Sequence, residues 1–397
     1  MSYRIILFLI LGIDATILLF ETSSLSISYA ESVILYDEFS FLSLLANISI
    51  YFFGTNDFSL RLPMIILHLF SAVLLYKISK EYVQKEKNRL WLILVFVLLP
   101  GVVSSAIILN NAGLIIFGLL FFVYIYKNFS IKYTYFLLTL YILVAGEFVY
   151  LFLALSIYAI YTKEKNFFIF NIFAFFISIL LYGVDAKGGP QGHFLDAIGV
   201  YSAIFTPIIF IYLFYILYRR YLTKDVEILW FIATIPFLLS LILSFRQRIG
   251  LEVFAPYLLL ALPLAAQTFY HSYRVRLKMF RSNYRLIFII SLIFLVLNTL
   301  VVFFNKELYP YISKPQIHFA YNMHVAKELA TKLKNRGIEC VDTEYKMANR
   351  LRFYGVTNCN TYKLTQTSEI LKNRHTVTIS YKNRPVYNAY VTKVNTR

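Results

Sequence analysis

Tyr36-Asp37-Glu38 and, fifteen residues on, Phe53-Gly54-Thr55-Asn56-Asp57-Phe58-Ser59-Leu60-Arg61-Leu62-Pro63 lie between two long apolar segments, residues 5–20 and 63–79. Ionised side chains are costly near hydrocarbon, so two adjacent acids and an arginine at such a boundary mark an acid site at a membrane surface. The surrounding composition fits that reading. Hydrophobic residues make up 59% of the 397, charged residues 15%, and the mean hydropathy is +0.66, outside the range of a soluble globular chain.

A hydrocarbon core of about 30 Å is crossed by roughly 20 apolar residues. By that measure the chain is a polytopic α-helical membrane protein with about eleven transmembrane helices. The expected spans are residues 5–20, 63–79, 90–109, 112–126, 133–145, 148–161, 167–182, 197–218, 228–245, 253–269 and 286–304. Their connections alternate in charge. Arg4 and the basic clusters at 77–89, 127–132, 163–165, 219–224 and 274–285 fall on one side, which short Lys/Arg-rich loops mark as cytoplasmic. The other side receives the loop 21–62, the Arg246-Gln247-Arg248 turn and everything after residue 304. The expected organisation is therefore a membrane domain over 1–304 and a small extracytoplasmic α/β domain over 305–397, with the N-terminus in the cytoplasm.

The formal charge of +17 does not imply nucleic-acid binding, because the membrane-domain cations flank apolar spans and serve topology and anionic headgroups. Asp14 within the first span and the lack of a cleavage pattern after it read as a retained helix rather than a signal peptide. In the tail, the pattern predicts helices over 316–336 and 346–354 and strands over 338–341, 376–381 and 386–394. The two cysteines, Cys340 and Cys359, either form a disulfide on the oxidising side or remain two buried thiols.

Residues 39–53 read as an interfacial helix with Ser40, Ser43 and Asn47 on one stripe. Asp37 and Glu38 would stand at its N-terminus, favoured by the helix dipole. Taken alone, that is also an ordinary cap with no chemistry. Arg61, Arg246 and Arg248 at the same expected surface change the balance. Guanidinium forks suit a phosphate-bearing lipid, and a carboxylate beside them suits a proton.

The order of first span, Asp-Glu loop, amphipathic segment, the 53–63 motif and second span resembles the glycosyltransferase C superfamily, in particular bacterial relatives of protein O-mannosyltransferases and of the lipid A aminoarabinose transferase. Residues 244–257, Ser-Phe-Arg-Gln-Arg-Ile-Gly-Leu-Glu-Val-Phe-Ala-Pro-Tyr, followed by Pro263, resemble that family's late outer loop. The resemblance implies transfer of a sugar from a polyprenyl-phosphate donor to a lipid, glycan or protein acceptor at the outer face of a bacterial inner membrane, with inversion. It implies Asp37 as the acid–base group and Glu38 as its neighbour in the site. Arg61, Arg246 and Arg248 would bind the departing phosphate, where charge accumulates.

Lys187 and His193, in the one glycine-rich outer loop, are expected substrate contacts, and Glu147 is a third, at a position where relatives often carry lysine. That loop lacks the ending of a nucleotide P-loop. Carboxylates with water could hold a divalent cation, but no compact His/Asp/Glu cluster points to one, so no metal or other cofactor is expected. Two further readings compete: a transporter or flippase, which would depend on Asp14 at mid-span, and a noncatalytic scaffold. Without a second mid-span acid or base, Asp14 reads better as a hydrogen-bonded tie between helices.

Overall fold

The computed structural model describes residues 2–183, 192–366 and 374–394. Every expected span is helical. Among the described residues, six helices are long and apolar enough to cross a membrane: Tyr3–Ser24, Asp57–Tyr82, Asn111–Asn128, Lys165–Tyr182, Leu251–Val275 and Lys278–Phe303. The spans expected at 90–109 and 197–218 are helix pairs, Glu86–Leu98 with Pro100–Ile107 and Phe194–Phe205 with Pro207–Thr223, bent by 61° and 106°. Each second helix starts at a proline, which has no N–H to continue the preceding ladder. Ile131–Val144, Gly146–Thr162 and Ile228–Ser244 are shorter apolar helices. The chain is a multi-pass membrane protein with a small sheet near its C-terminus.

Two compact units emerge. The first comprises Met1–Thr16, Met64–Ala106 and Asn110–Thr299, and the second Ile17–Pro63, Ile107–Leu109 and Leu300–Arg397. The first is helical throughout, around a core in which Phe96, Phe122, Phe152, Tyr201 and Phe237 are fully enclosed. Within it, His68 Nε2 lies 2.7 Å from Asp14 Oδ2, and the His68 ring stacks on Phe96. Asp14 is thus paired with a second ionisable group at mid-span.

The second unit joins the acid-bearing segment to the tail. Its sheet has strand order β1-β3-β2, with β1 at Tyr362–Thr365, β2 at Arg374–Tyr381 and β3 at Arg384–Lys393, all antiparallel. The β2–β3 hairpin closes through Lys382 and Asn383, both at positive φ (48° and 64°), as a tight two-residue turn between right-twisted strands requires. Cys340 and Cys359 are disulfide-bonded, with Cα atoms 5.5 Å apart.

The first tail helix is shorter than expected, Ala326–Lys334 rather than 316–336. Residues Pro315–Ile317 and Tyr321–Met323 run instead as 3-10 turns, each followed by a histidine that bonds outside the segment. His318 Nε2 lies 2.9 Å from the Asn305 carbonyl, and His324 lies between the Tyr309 hydroxyl (2.7 Å) and Asn305 Oδ1 (2.8 Å). The expected strand at 338–341 is reduced to isolated bridges, Cys340 with Thr357 and Asp342 with Lys363.

Asn305 Nδ2 donates to Glu21 Oε1, so Asn305 Oδ1 is an acceptor. His324 then donates from Nε2, and in the neutral ring Nδ1 accepts from the Tyr309 hydroxyl. Burial first, then Lys306, His318 and Arg350, push its pKa from 6.5 down to about 3. Above pH 6.5 neither the folded nor the unfolded chain holds this proton. Below it the unfolded chain gains a proton that the folded one refuses, so stability is lost as pH falls. Thermal unfolding followed by proteolysis of the tail should show about 2 kcal/mol less stability at pH 5 than at pH 7.5. His324→Asn should flatten most of that dependence, and an unchanged slope would contradict the assignment.

Candidate functional site

The acid-bearing segment is built by successive local signals. Ser28 starts the helix Tyr29–Tyr36 through a capping box: its hydroxyl accepts from Glu31 N (3.2 Å), and Glu31 Oε2 accepts from Ser28 N (2.8 Å). Ser40 caps the next helix, Phe41–Phe53, accepting from Ser43 N, and Asn47 bonds back to Ser43. Gly54 ends that helix at φ 79°, in the left-handed region. Asn56 Oδ1 then accepts from Ser59 N at the start of Asp57–Tyr82.

Asp37 is therefore not the N-cap of the helix that follows, as expected from sequence, but the C-cap of the helix that precedes it. Ser40 takes the capping position because the chain turns through residues 37–40 between two helices that are bent by 89°. At a helix C-terminus the dipole disfavours a carboxylate, and other groups stabilise it here. Tyr345 Oη and Asn349 Nδ2 both donate to Asp37 Oδ2, at 2.9 and 3.0 Å. These residues lie one turn apart on the tail helix Tyr345–Phe353. Among the described residues nothing bonds Oδ1, and Asp37 and Glu38 are both exposed. Phe39 beside them is fully exposed as well.

Arg61 is fully buried, and its five N–H groups are all used. Nε donates to Glu31 Oε1 (2.8 Å), one terminal nitrogen to the carbonyls of Thr22 and Leu25, and the other to Glu31 Oε2 (2.9 Å) and the Ser26 carbonyl. Glu31, also fully buried, takes a fourth bond from Leu109 N. The phosphate-binding donors expected of Arg61 are thus occupied by protein. Asp57 is held similarly, accepting from Tyr354 Oη (2.6 Å) and pairing with Lys327 (2.8 Å). Lys327 and Lys306 also donate to the carbonyls of Ser23 and Ser24 at the end of the first helix. Arg350 Nε donates to the Ile27 carbonyl (2.9 Å).

Arg246 and Arg248 belong to the first unit, in the turn after Ile228–Ser244. Both are exposed, and neither guanidinium has a bonding partner among the described residues. His193 N donates to the Ser244 carbonyl, its ring lies 3.3 Å from Asp196, and Phe194 stacks on Phe245, so His193 adjoins the arginine turn. Glu147, in the same unit, accepts from Asn111 Nδ2 at 2.6 Å. Lys187 lies outside the described residues. Among those residues, no three His, Cys, Asp or Glu side chains form a metal-binding group.

Sequence reasoning gave Glu31 no role and missed Tyr345, Asn349 and His68. The Ser28-to-Glu31 spacing did carry a readable capping-box signal. The others depend on partners dozens to hundreds of residues away.

The fold, a helical membrane array with an acid-bearing loop and a small sheet-containing tail, is also found among solved structures. Crystal structures of ArnT from Cupriavidus metallidurans, in the apo state and bound to undecaprenyl phosphate, match with TM-scores of 0.57 and 0.56. They are 10% and 9% identical to this chain, cover 98% of it, and are themselves covered over 97% and 98%. The likeness is therefore one of fold along the whole length. No family model matches the sequence, and no curated protein matches it.

Lysine at position 61 would offer three donors in place of five and could not grip Glu31 as a planar fork. Arg61→Lys, which leaves at least two buried acceptors without a donor, should cost about 2–5 kcal/mol, whereas exposed Arg246→Lys should stay within about 0.5 kcal/mol. Thermal melting of the purified protein compares the two, and equal melting temperatures would refute the structural role of Arg61.

Proposed function

We propose that this protein is an integral-membrane glycosyltransferase of the inner membrane, moving one sugar from a polyprenyl-phosphate donor to an envelope acceptor at the outer face. The carrying observation is Asp37, an exposed carboxylate whose Oδ2 is fixed by Tyr345 and Asn349 while Oδ1 has no partner among the described residues. Two aligned donors orient a carboxylate and leave its second oxygen for a hydroxyl. The full-length fold likeness to ArnT, one structure of which holds undecaprenyl phosphate, supports the donor class.

In this reading the acceptor oxygen attacks the anomeric carbon from the face opposite the phosphate. The carbon–oxygen bond to phosphate breaks, polyprenyl phosphate departs with the electron pair, and the sugar is inverted. Asp37 takes the proton of an acceptor hydroxyl, and for an acceptor that is itself an anion it orients the nucleophile. Exposed Arg246 and Arg248 remain the candidates for the departing phosphate, since fixed cations stabilise charge where it develops. His193 adjoins them as a substrate contact, and Glu147 is a further candidate contact. From residue 305 onward, sixteen Lys and Arg face six Asp and Glu, which favours an anionic acceptor such as a phosphorylated glycolipid.

The test is mass spectrometry of envelope lipids and glycans from cells with the native protein, without it, or with Asp37→Asn at equal abundance. One sugar mass should disappear from a glycoconjugate in both deficient strains. In a reconstituted assay, Asp37→Asn should lower kcat by 100-fold or more, the usual scale of a general base. Tyr345→Phe combined with Asn349→Ala should lower it about tenfold with little change in donor KM. A normal profile from well-expressed Asp37→Asn would overturn the catalytic assignment.

A further inference from the structure

The first unit contains a cavity of about 880 Å³ whose lining includes none of the residues assigned to the proposed sugar transfer. It is bounded by Glu86–Leu98, Pro207–Thr223, Ala261–Val275 and Lys278–Phe303. Its two ends differ in chemistry. Ile208, Leu213, Leu262 and Leu295 line one, and Arg219, His271, Arg276 and Tyr284 line the other. From Leu262 to Arg276 the helical rise amounts to about 20 Å, close to one leaflet's share of a roughly 30 Å hydrocarbon core plus its headgroup layer.

The polar rim is strongly cationic. Between residues 253 and 306 there is no Asp or Glu. Among the described residues, none of Arg219, Arg274, Arg276, Lys278, Arg281 and Arg285 pairs with a carboxylate. The connection folds on itself instead. Arg281 donates to the carbonyls of Arg274 and Arg276, Arg285 to the Tyr273 hydroxyl, and the Arg276 guanidinium rests 4.5 Å from the Tyr284 ring centre. Arg276 is thereby held at the rim with donors to spare. The wall formed by Lys278–Phe303 is open on most of its surface, with 11% of its apolar window buried.

We propose that this cavity is a binding site for one anionic phospholipid, its phosphate between Arg219 and Arg276 and its acyl chains along the apolar end. A net negative headgroup matches an acid-free rim, whereas a zwitterionic lipid would bring an ammonium against unpaired arginines. The rim lies at the opposite end of the Leu251–Val275 span from the Arg246–Arg248 turn, so its occupant is a resident lipid of the other leaflet and not the sugar donor.

Full-length protein purified in mild detergent, its bound lipids extracted and quantified by mass spectrometry, tests this. Wild type should retain about one equivalent of phosphatidylglycerol or cardiolipin, enriched over zwitterionic lipid. Arg219→Gln with Arg276→Gln should weaken retention about thirtyfold, the factor for two cations near a headgroup. Ala266→Trp, which fills the cavity and leaves the rim intact, should displace the lipid. Delipidated wild type supplies a measurement independent of variant folding: phosphatidylglycerol should raise its melting temperature and phosphatidylcholine should not. Equal lipid content in all forms, enrichment of zwitterionic lipid, retained polyprenyl phosphate, or equal thermal shifts would each overturn the proposal.

Discussion

The second unit depends on one buried ion pair. Arg61 and Glu31 are both removed from water, and the cost of doing so is met because every N–H of the guanidinium and both oxygens of the carboxylate are bonded. The pair also terminates secondary structure. Arg61 satisfies the carbonyls of Thr22, Leu25 and Ser26 where the first helix ends, and Glu31 satisfies the N–H groups of Ser28 and Leu109. A hydrophobic replacement could fill the volume but would leave those backbone groups without partners.

Around that pair, the tail completes the acid segment. Tyr354 and Lys327 hold Asp57, Arg350 holds the Ile27 carbonyl, and Tyr345 with Asn349 hold Asp37. Fixing one oxygen of a carboxylate by two neutral donors restrains its rotation without neutralising it. Arg246 and Arg248 show the opposite design, exposed guanidinium groups with no protein partner among the described residues.

How legible this was depended on the range of each interaction. The apolar stretches follow from composition over windows of about 20 residues and all are helical, but among the described residues only six are helices long and apolar enough to cross a membrane, two are bent pairs and three are shorter helices. The bends at Pro100 and Pro207 were present in the sequence as residues, but their angles depend on neighbours. Asp37 and Glu38 were legible as an unusual acid pair, while the location of Asp37 at a helix C-terminus was not, since Ser40 competes for the same cap. Arg61 was conspicuous for its charge and read as a ligand group. Its employment as a structural fork required Glu31, thirty residues earlier, and a carbonyl cluster that no pattern records. Asp14 likewise looked solitary because its partner His68 lies 54 residues away.

The bonds to Asp37 come from residues 308 and 312 positions further along the chain. Closing so long a loop cannot occur until every intervening segment has been made, since the donors follow all the long apolar helices in the chain. The nascent chain therefore carries its carboxylate unoriented until then. Orientation of Asp37 follows synthesis of the apolar helices that lie between it and its donors.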